Sequence, residues 1–309
     1  MTKFILFFFH FFPFLEVLDG INVLAHYTFE KNVVPLWSIH YTMEKISKSQ
    51  IKLVRSLQLK KFRDELGLFI AEGEKCVSEL EKAFELETLI VEEGLSVLCQ
   101  AKPVCTLSAK RSEIEQMSGL RTPQGVIGVF KKRVESKELP KGPVPKHLTL
   151  VLDGIQDPGN LGTIIRTCDW FGVHDILCSL DTADCYNPKV VQATMGALAR
   201  VHIQYVNLPE LLRDNETLWK MLPASEKRPP IYGTLLDGRN LYEKGAIPSK
   251  QSGIIIMGNE GNGISPEVRK YITHPLYIPS VPNKEASEVI ESLNVSIATA
   301  IILAEFRRP

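Results

Sequence analysis

Short apolar runs alternate with segments of helical periodicity over the second half of the chain. The predicted strands are 148–152, 174–178, 201–206, 230–235 and 253–257, and the predicted helices are 160–171, 188–199, 208–222, 265–272 and 292–306. Near-continuous apolar strands that are separated by helices are typical of a parallel sheet buried on both faces. Pro188 and Pro266 each follow a residue that can cap a helix, which fits helix starts. The pattern predicts an α/β domain over 148–309.

A smaller and more mixed pattern covers residues 43–133. Apolar residues recur at helical intervals from 44 to about 62, which predicts one amphipathic helix. The remaining predicted elements are strands at 68–73, 86–91 and 125–130 and helices at 74–83 and 108–117. Residues 134–147 combine lysines and three prolines with little apolar content, which predicts a semi-rigid linker. The sequence therefore predicts a small α/β domain, a linker and the larger α/β domain.

The first 42 residues fit neither domain. Residues 4–15 hold seven of the fourteen phenylalanines of the chain. This run is shorter than the roughly 20 residues that a membrane-spanning helix needs, and it lacks the clear small-x-small cleavage site that follows a signal peptide. Ordinary patterning begins just after Met43, so the sequence favours a translation start at Met43, with 1–42 as an over-extended gene start. A native N-terminal peptide from before Met43 would contradict this prediction.

Composition adds expectations about partners and thiols. Hydrophobic (44%) and charged (23%) residues are in the globular range, and 36 basic residues balance 36 acidic ones. Residues 45–63 nevertheless hold seven basic and no acidic side chains, which fits either a polyanion-binding surface or a solvated helix face. The six cysteines form no Cys-x-x-Cys pair and no metal-like spacing with the seven histidines. Cys168 and Cys178 fall in apolar-periodic segments, so we expect buried, reduced thiols in a cytoplasmic protein.

A glycine-rich loop at 258–263 follows the strand predicted at 253–257 and precedes a predicted helix. Glycines there let the backbone approach a ligand closely. The order Gly-x-x-Gly-x-Gly differs from the dinucleotide fingerprint, and no Gly-Lys-Ser/Thr follows as in a Walker A loop. The loop therefore predicts either a ligand site or a tight strand-to-helix turn.

The segment 157–167 carries Asn160 and Arg166 around a predicted turn and helix start. An offset of six residues places these two side chains on different helix faces, unless Asn160 lies in the preceding loop, as Pro158 suggests. Arg166 lies in an apolar helical segment, so we expect its charge to be paired in a structural ion pair or directed into a cleft.

The helix predicted at 292–306 is amphipathic, and most of it is expected to belong to the core. Ser292 or Asn294 can cap its start. Only Ser292, Leu293 and Asn294, at the tip of this helix, are candidate site residues.

In chain order, the segments 157–167, 254–265 and 291–300 resemble the three motifs of the SpoU (TrmH-type) RNA ribose 2'-O-methyltransferases of the SPOUT superfamily. The resemblance covers 148–309, while 44–130 more weakly resembles the small substrate-binding domain that often precedes this fold. It implies an α/β fold whose parallel sheet carries a C-terminal trefoil knot. It also implies S-adenosylmethionine as methyl donor, an RNA substrate, a homodimer with the site completed across the interface, and no metal.

The resemblance implies roles for individual residues. Arg166 matches the arginine of the first motif, and the other polar site positions match Asn160, Glu260 and Asn294. Cofactor contacts are implied for Thr234, Gly258, Ile278, Ser292 and Leu293. With the basic stretch, it suggests RNA contacts at Lys52, Arg55, Lys60 and Arg63. Because arginine holds its proton tightly, it is a poor general base, and we expect Arg166 to clamp a phosphate or to lower the pKa of the 2'-hydroxyl, while the role of general base stays open.

Residues 280–291 depart from the family pattern. Many members have a short stretch with a glycine here, whereas this chain has twelve residues and no glycine. This departure predicts a bulged or extended loop between Ile278 and Ser292.

Three other functions are compatible with parts of the sequence. The target RNA could be transfer RNA, although the small domain resembles the one found in enzymes that act on ribosomal RNA. A non-catalytic RNA-binding relative is disfavoured because Asn160, Arg166, Glu260 and Asn294 are all present. A nucleotide-dependent oxidoreductase is disfavoured because no dinucleotide fingerprint occurs in the sequence.

Overall fold

The computed structural model describes residues 43–95, 97, 103–133, 147–221, 228–248, 252–280 and 292–308. The extension predicted at 1–42 and all but the last residue of the linker predicted at 134–147 lie outside them. The described residues from Lys45 onward belong to one compact unit. None of the described helices is long and apolar enough to cross a bilayer, and the aromatic run at 4–15 lies outside this part of the chain.

Residues 43–133, called the small domain below, contain a mixed five-stranded sheet. Its strands are β1 (Glu44–Lys45), β2 (Leu68–Glu72), β3 (Leu86–Glu92), β4 (Cys105–Ala109) and β5 (Val126–Lys131), in the order β1-β4-β3-β5-β2. Its helices are α1 (Lys48–Ser56), α2 (Lys60–Leu66), α3 (Glu74–Leu80) and α4 (Arg111–Met117). β5 pairs antiparallel with β2 and β3, whereas β3 runs parallel to β4.

The single helix predicted over 44–62 is wrong, because two helices occupy this region. The Ser47 hydroxyl caps α1 by accepting from the Gln50 N–H at 3.3 Å. The chain then turns after Ser56 and buries Leu57 completely before α2 begins at Lys60. Burial of Leu57 in the core outweighs the helical periodicity that the local sequence shows.

The large domain, the described residues from His147 on, contains a six-stranded sheet. Its strands are β6 (Leu148–Asp153), β7 (Asp175–Ser179), β8 (His202–Val206), β9 (Ile231–Asn240), β10 (Gly253–Gly258) and β11 (His274–Tyr277), in the order β11-β9-β10-β6-β7-β8. Every neighbouring pair in this sheet is parallel, which confirms the predicted parallel α/β fold. Strand β11 was not predicted, since it is short and includes Pro275.

Helices cover the large sheet. They are α5 (Pro158–Trp170), α6 (Pro188–Thr194), a 3-10 turn (Ala197–Ala199), α7 (Leu208–Lys220), α8 (Pro266–Arg269) and α9 (Val295–Arg307). The helix predicted over 188–199 ends early because Met195 and Gly196 adopt positive φ angles of 51° and 89°. The helix predicted over 265–272 is the single turn α8.

One apolar cluster extends through both domains. It includes Phe69 and Val77 of the small domain, Val190 and Val191 of α6, and Leu150 at the centre of the large sheet. Because the cluster is continuous, the small domain packs directly on the large domain along α6.

Cys168 and Cys178 are fully buried, which confirms their predicted place in the core. Burial also raises the pKa of the Cys76 and Cys185 thiols to about 12. We therefore expect iodoacetamide at pH 8 to leave these four cysteines unmodified in the folded protein and to modify all of them after unfolding. Peptide mass spectrometry measures this directly, and rapid native labelling of Cys168 would contradict the packing described.

Candidate active site

Three segments that are far apart in the sequence meet at the carboxyl end of the parallel sheet. The Asn160 side chain lies at their junction. Its Nδ2 donates to Oε1 of Glu260, one hundred residues away, at 2.7 Å. Its Oδ1 accepts from Nδ2 of Asn294, 134 residues away, at 2.9 Å. The junction forms at this edge because β6 and β10 pair in parallel and end together, with Asp153 opposite Gly258.

The cap of helix α9 fixes the direction of these hydrogen bonds. Asn294 is the N-cap, and its Oδ1 accepts from the N–H of Ser296 at 2.9 Å and of Ile297 at 3.4 Å. The amide nitrogen of Asn294 must then face Asn160. This in turn directs the Asn160 amide nitrogen towards the Glu260 carboxylate. Folding of α9 therefore orients the hydrogen bonds that link Asn294, Asn160 and Glu260.

Asn160 lies in the first turn of α5, within the helix predicted over 160–171, and not in the preceding loop that Pro158 suggested. Asp157 is the N-cap, and its Oδ1 accepts from the Asn160 N–H at 2.7 Å. Pro158 occupies the first turn, where the missing N–H costs nothing. The helix start holds the Asn160 side chain at the sheet edge.

Asn259 closes the glycine-rich loop and was missed by the sequence reasoning. Its Oδ1 accepts from the N–H groups of Gly261 and Asn262 at 2.9 and 3.1 Å. Its Nδ2 donates to the carbonyl of Gly154 at 2.7 Å, which ties the loop to the end of β6. An asparagine beside glycines in a strand-to-helix turn is the signal that could have identified it.

Gly258 is required by the closure of the same loop. A Cβ atom at this position would lie 2.3 Å from the backbone carbon of Gly263 and 2.3 Å from the nitrogen of Ile264. The loop backbone therefore folds back onto Gly258 with no space for a side chain.

The other candidate cofactor residues lie in β9, just after β11 and just before the α9 cap. Thr234 in β9 is half-buried, and its hydroxyl contacts the Met257 sulfur at 3.8 Å. Ile278 follows β11 and packs against the apolar cluster while staying partly exposed. Ser292 and Leu293 precede the α9 cap and are exposed. These residues provide a hydroxyl and apolar surface, and Gly258 adds glycine backbone.

Family models match both domains of the chain. The model described as the SpoU rRNA Methylase family matches residues 147–304, just over half of the chain. The chain belongs to the SpoU rRNA methylase family. A second model, the MRM3-like substrate binding domain, matches residues 48–128. The family resemblance that the three motifs suggested is thereby confirmed.

Solved structures and sequence relatives agree with this membership. A Porphyromonas gingivalis protein of the TrmH RNA methyltransferase family has 38% identity and a TM-score of 0.70, over 85% of this chain and 98% of that chain. The AdoMet-bound rRNA methyltransferase from Sinorhizobium meliloti has 28% identity and a TM-score of 0.67, over 86% and 97%. A Bacillus subtilis protein named 23S rRNA (guanosine(2553)-2'-O)-methyltransferase RlmP is 27% identical over 86% of this chain and 98% of its own length.

In this SpoU family member Arg166 does not join the Asn160 junction within one chain. Six residues correspond to about 9 Å along the helix and about 240° around it. Arg166 is exposed, and its guanidinium makes neither a hydrogen bond nor an ion pair with the residues that the structure describes. The structural ion pair that the sequence allowed does not form among the described residues, because Arg166 lies on the outer face of α5 with Thr163 and Trp170.

The predicted RNA contacts of the small domain divide into two groups. Lys52, Arg55 and Lys60 are exposed and have no ion pair in the part of the chain that the structure describes. Arg63 is only 1% exposed, and its Nη2 lies 2.6 Å from Oδ2 of Asp184. The prediction that Arg63 contacts RNA is therefore wrong, since its guanidinium is buried and fully engaged within the protein.

Among the described residues, no group of three or more His, Cys, Asp or Glu side chains is arranged to hold a metal ion.

Proposed function

We propose that this protein transfers the methyl group of S-adenosylmethionine to a ribose 2'-hydroxyl in ribosomal RNA. The observation that carries the proposal is the junction of Asn160, Glu260 and Asn294 beside the closed loop at Gly258. The match to the SpoU rRNA Methylase family and the likeness to a relative named as a 23S rRNA methyltransferase favour ribosomal over transfer RNA. Mapping of 2'-O-methyl positions in RNA from cells with and without the gene tests the proposal. A position that loses its methyl group identifies the target nucleotide.

The residues beside the loop fit S-adenosylmethionine. We assign the cofactor contacts to Thr234, Gly258, Ile278, Ser292 and Leu293. The tight closure at Gly258 presents backbone rather than side chains, while Ile278 and Leu293 offer exposed apolar surface for an adenine ring. When bound, this group supplies a methyl on a positively charged sulfur that needs no further activation. A titration with S-adenosylmethionine separates the enzyme from a non-catalytic RNA-binding relative, which would show no binding.

The polar residues align and polarise the RNA ribose. Glu260 and Asn294 hold the Asn160 amide in one orientation, so that the junction is rigid before the substrate arrives. The Arg166 guanidinium carries a positive charge and stabilises negative charge on a phosphate or on the 2'-oxygen.

A homodimer explains the outward orientation of Arg166. The outer surface near it exposes Trp170 (84% exposed), and the start of α9 exposes Leu293 and Ile297 (48% and 54%). Large exposed apolar side chains on adjoining helices fit an interface with a second copy. In such a dimer, Arg166 of one copy completes the site around Asn160 of the other.

Mixed dimers test this shared site. An Arg166→Ala chain and an Asn160→Ala chain are each expected to be inactive alone, whereas a mixed dimer contains one intact site. After random exchange of subunits we expect about a quarter of wild-type activity, because half of the dimers are mixed and each has one of its two sites intact. If dimers shown to be mixed recover no activity, Arg166 and Asn160 of one chain act in the same site, and the site is not shared between the two copies.

The C-terminal region is proposed to form the trefoil knot of the family. The resemblance implies it, and the strand order, with β9 lying between β11 and β10, is compatible with it. The predicted bulge at 280–291 lies outside the described residues except for Ser280. We also propose a cytoplasmic location, where the buried cysteines stay reduced.

The small domain is proposed to bind RNA through Lys52, Arg55 and Lys60. Each contact with a phosphate steepens the salt dependence of binding by about 0.7 to 0.9 in the log–log slope. We expect a triple replacement of these residues by methionine to weaken RNA binding and reduce this slope by about 2 to 3. Affinity for S-adenosylmethionine should stay unchanged. An unaltered salt slope would show that RNA binds elsewhere.

A further inference from the structure

A buried ion pair joins the small domain to the large domain. Arg63 in α2 donates from Nη2 and Nε to Oδ2 of Asp184, at 2.6 and 3.1 Å. Its remaining nitrogen, Nη1, donates to the carbonyls of Leu57 and Gln58, both at 2.9 Å. These bonds engage all three guanidinium nitrogens, so Arg63 simultaneously braces the α1–α2 turn and fixes it to the large domain.

A second charged bridge reaches the helix that carries Asn160 and Arg166. Arg200 donates from Nη1 to Oε2 of Glu79 in α3 at 2.6 Å, and from Nη2 to Oδ2 of Asp169 in α5 at 2.8 Å. The small domain is therefore connected, through one arginine, to the helix that bears the candidate catalytic residues.

Close packing accompanies the two bridges. Gly196 lies directly against α3, where an added Cβ would be 2.4 Å from the Cβ of Glu79. Arg133, at the end of the small domain, donates to the carbonyls of Val201 and Ala199, both at 2.8 Å. The apolar cluster that both domains share adds packing to these contacts. The interface combines apolar packing with directional bonds, which together fix one relative orientation.

We propose that Arg63 is a positioning residue, which with Asp184 locks the small domain on the large domain so that both bind RNA as one rigid surface. The exposed cations Lys52, Arg55 and Lys60 then stand at a fixed position relative to Asn160. When the two RNA-binding surfaces are held rigidly, less conformational entropy is lost as one RNA binds to both of them. The part that concerns RNA rests on the proposed function, whereas the rigid docking does not.

The variant Arg63→Met tests the lock, with Lys60→Met as the matched control from the same helix. For Arg63→Met we expect KM for ribosomal RNA to rise about tenfold, because the two RNA-binding surfaces no longer act together. Turnover at saturating RNA and affinity for S-adenosylmethionine should stay within about twofold, and the salt slope should not change. Lys60→Met should instead reduce the salt slope by about 0.7 to 0.9.

Hydrogen–deuterium exchange tests the docking without any RNA. In Arg63→Met, the amides of α6 (Pro188–Thr194) in the large domain should exchange faster, although the changed residue lies in the small domain. In Lys60→Met they should exchange as in the wild type. Asp184→Asn provides a second variant if Arg63→Met does not fold, with the same expected rise in KM and in exchange. The double variant with Arg63→Met and Asp184→Asn should show the same KM as the single variants, since both changes remove the same interaction.

Two results would overturn the proposal. A reduced salt slope in Arg63→Met, with unchanged exchange of α6, would make Arg63 an RNA contact. Wild-type KM and wild-type exchange in a folded Arg63→Met or Asp184→Asn protein would show that the pair does not position the domains. If the wild type methylates no RNA, the proposed function fails, and the exchange of α6 still decides whether Arg63 locks the domains.

Discussion

Replacement of Arg166 by alanine is expected to lower turnover by more than about 100-fold while S-adenosylmethionine binds as in the wild type. The structure leaves the guanidinium exposed and unpaired within the described chain, so its removal leaves no buried charge and should not destabilise the fold. The loss would instead reflect the charge that it offers to a phosphate or to the 2'-oxygen. Single-turnover methyl transfer measures the rate, and calorimetric titration measures the affinity for S-adenosylmethionine.

Arg166→Lys provides the control for this prediction. Lysine keeps the positive charge but loses the planar fork that binds a phosphate through two parallel bonds. We therefore expect turnover between those of Arg166→Ala and the wild type. Turnover of Arg166→Ala near that of the wild type would remove Arg166 from the mechanism.

Replacement of Gly258 by alanine is expected to weaken the binding of S-adenosylmethionine by about 100-fold. The new Cβ would lie 2.3 Å from two backbone atoms, in Gly263 and Ile264, which cannot rotate away as a side chain can. Overpacking of this kind costs about 1–3 kcal/mol, and contact with backbone favours the upper end of that range. The loop must open to relieve the clash, and its binding surface changes. Titration calorimetry with the purified variant measures the effect.

Gly261→Ala is the matched control in the same loop. A Cβ at this position would meet only Oδ1 of Asn259, at an ordinary contact distance of 3.5 Å. We expect its affinity for S-adenosylmethionine to stay within about threefold of the wild type, because the loop need not move. Equal losses in the two variants would mean that the clash at Gly258 is not the cause.

The large sheet could be predicted from the sequence because its strands are apolar on both faces. The runs 148–152 and 253–257 contain one polar residue, Thr149, and only a sheet covered by helices buries such strands. Strands β4 and β11 were missed for the opposite reason. Each is short, and β4 carries the polar residues Thr106 and Ser108, so only the pairing with a neighbouring strand reveals it. Their existence is a tertiary property that local periodicity does not contain.

The sequence indicated the segments that form the candidate site, but not the contacts between them. The three motifs were identified in the sequence, but the hydrogen bonds through Asn160 join residues more than ninety positions apart and have no local signal. Arg63 shows the same limit. It stands in a basic run that indicates RNA binding, whereas its partner Asp184 lies 121 residues away. The exposure of Arg166 depends on which face of α5 is covered, and apolar neighbours in the sequence suggested the wrong face.

The activity proposed for this protein is methyl transfer to a ribose 2'-hydroxyl of ribosomal RNA. Its most direct measurement is incubation of the full-length protein with ribosomal RNA and tritiated S-adenosylmethionine, followed by complete alkaline hydrolysis. A 2'-O-methyl group prevents cleavage of the adjacent phosphodiester, so we expect tritium in alkali-resistant dinucleotides, and much less of it with the Arg166→Ala variant. Tritium in single nucleotides, which indicates methylated bases, or no labelled RNA despite bound S-adenosylmethionine, would contradict the account.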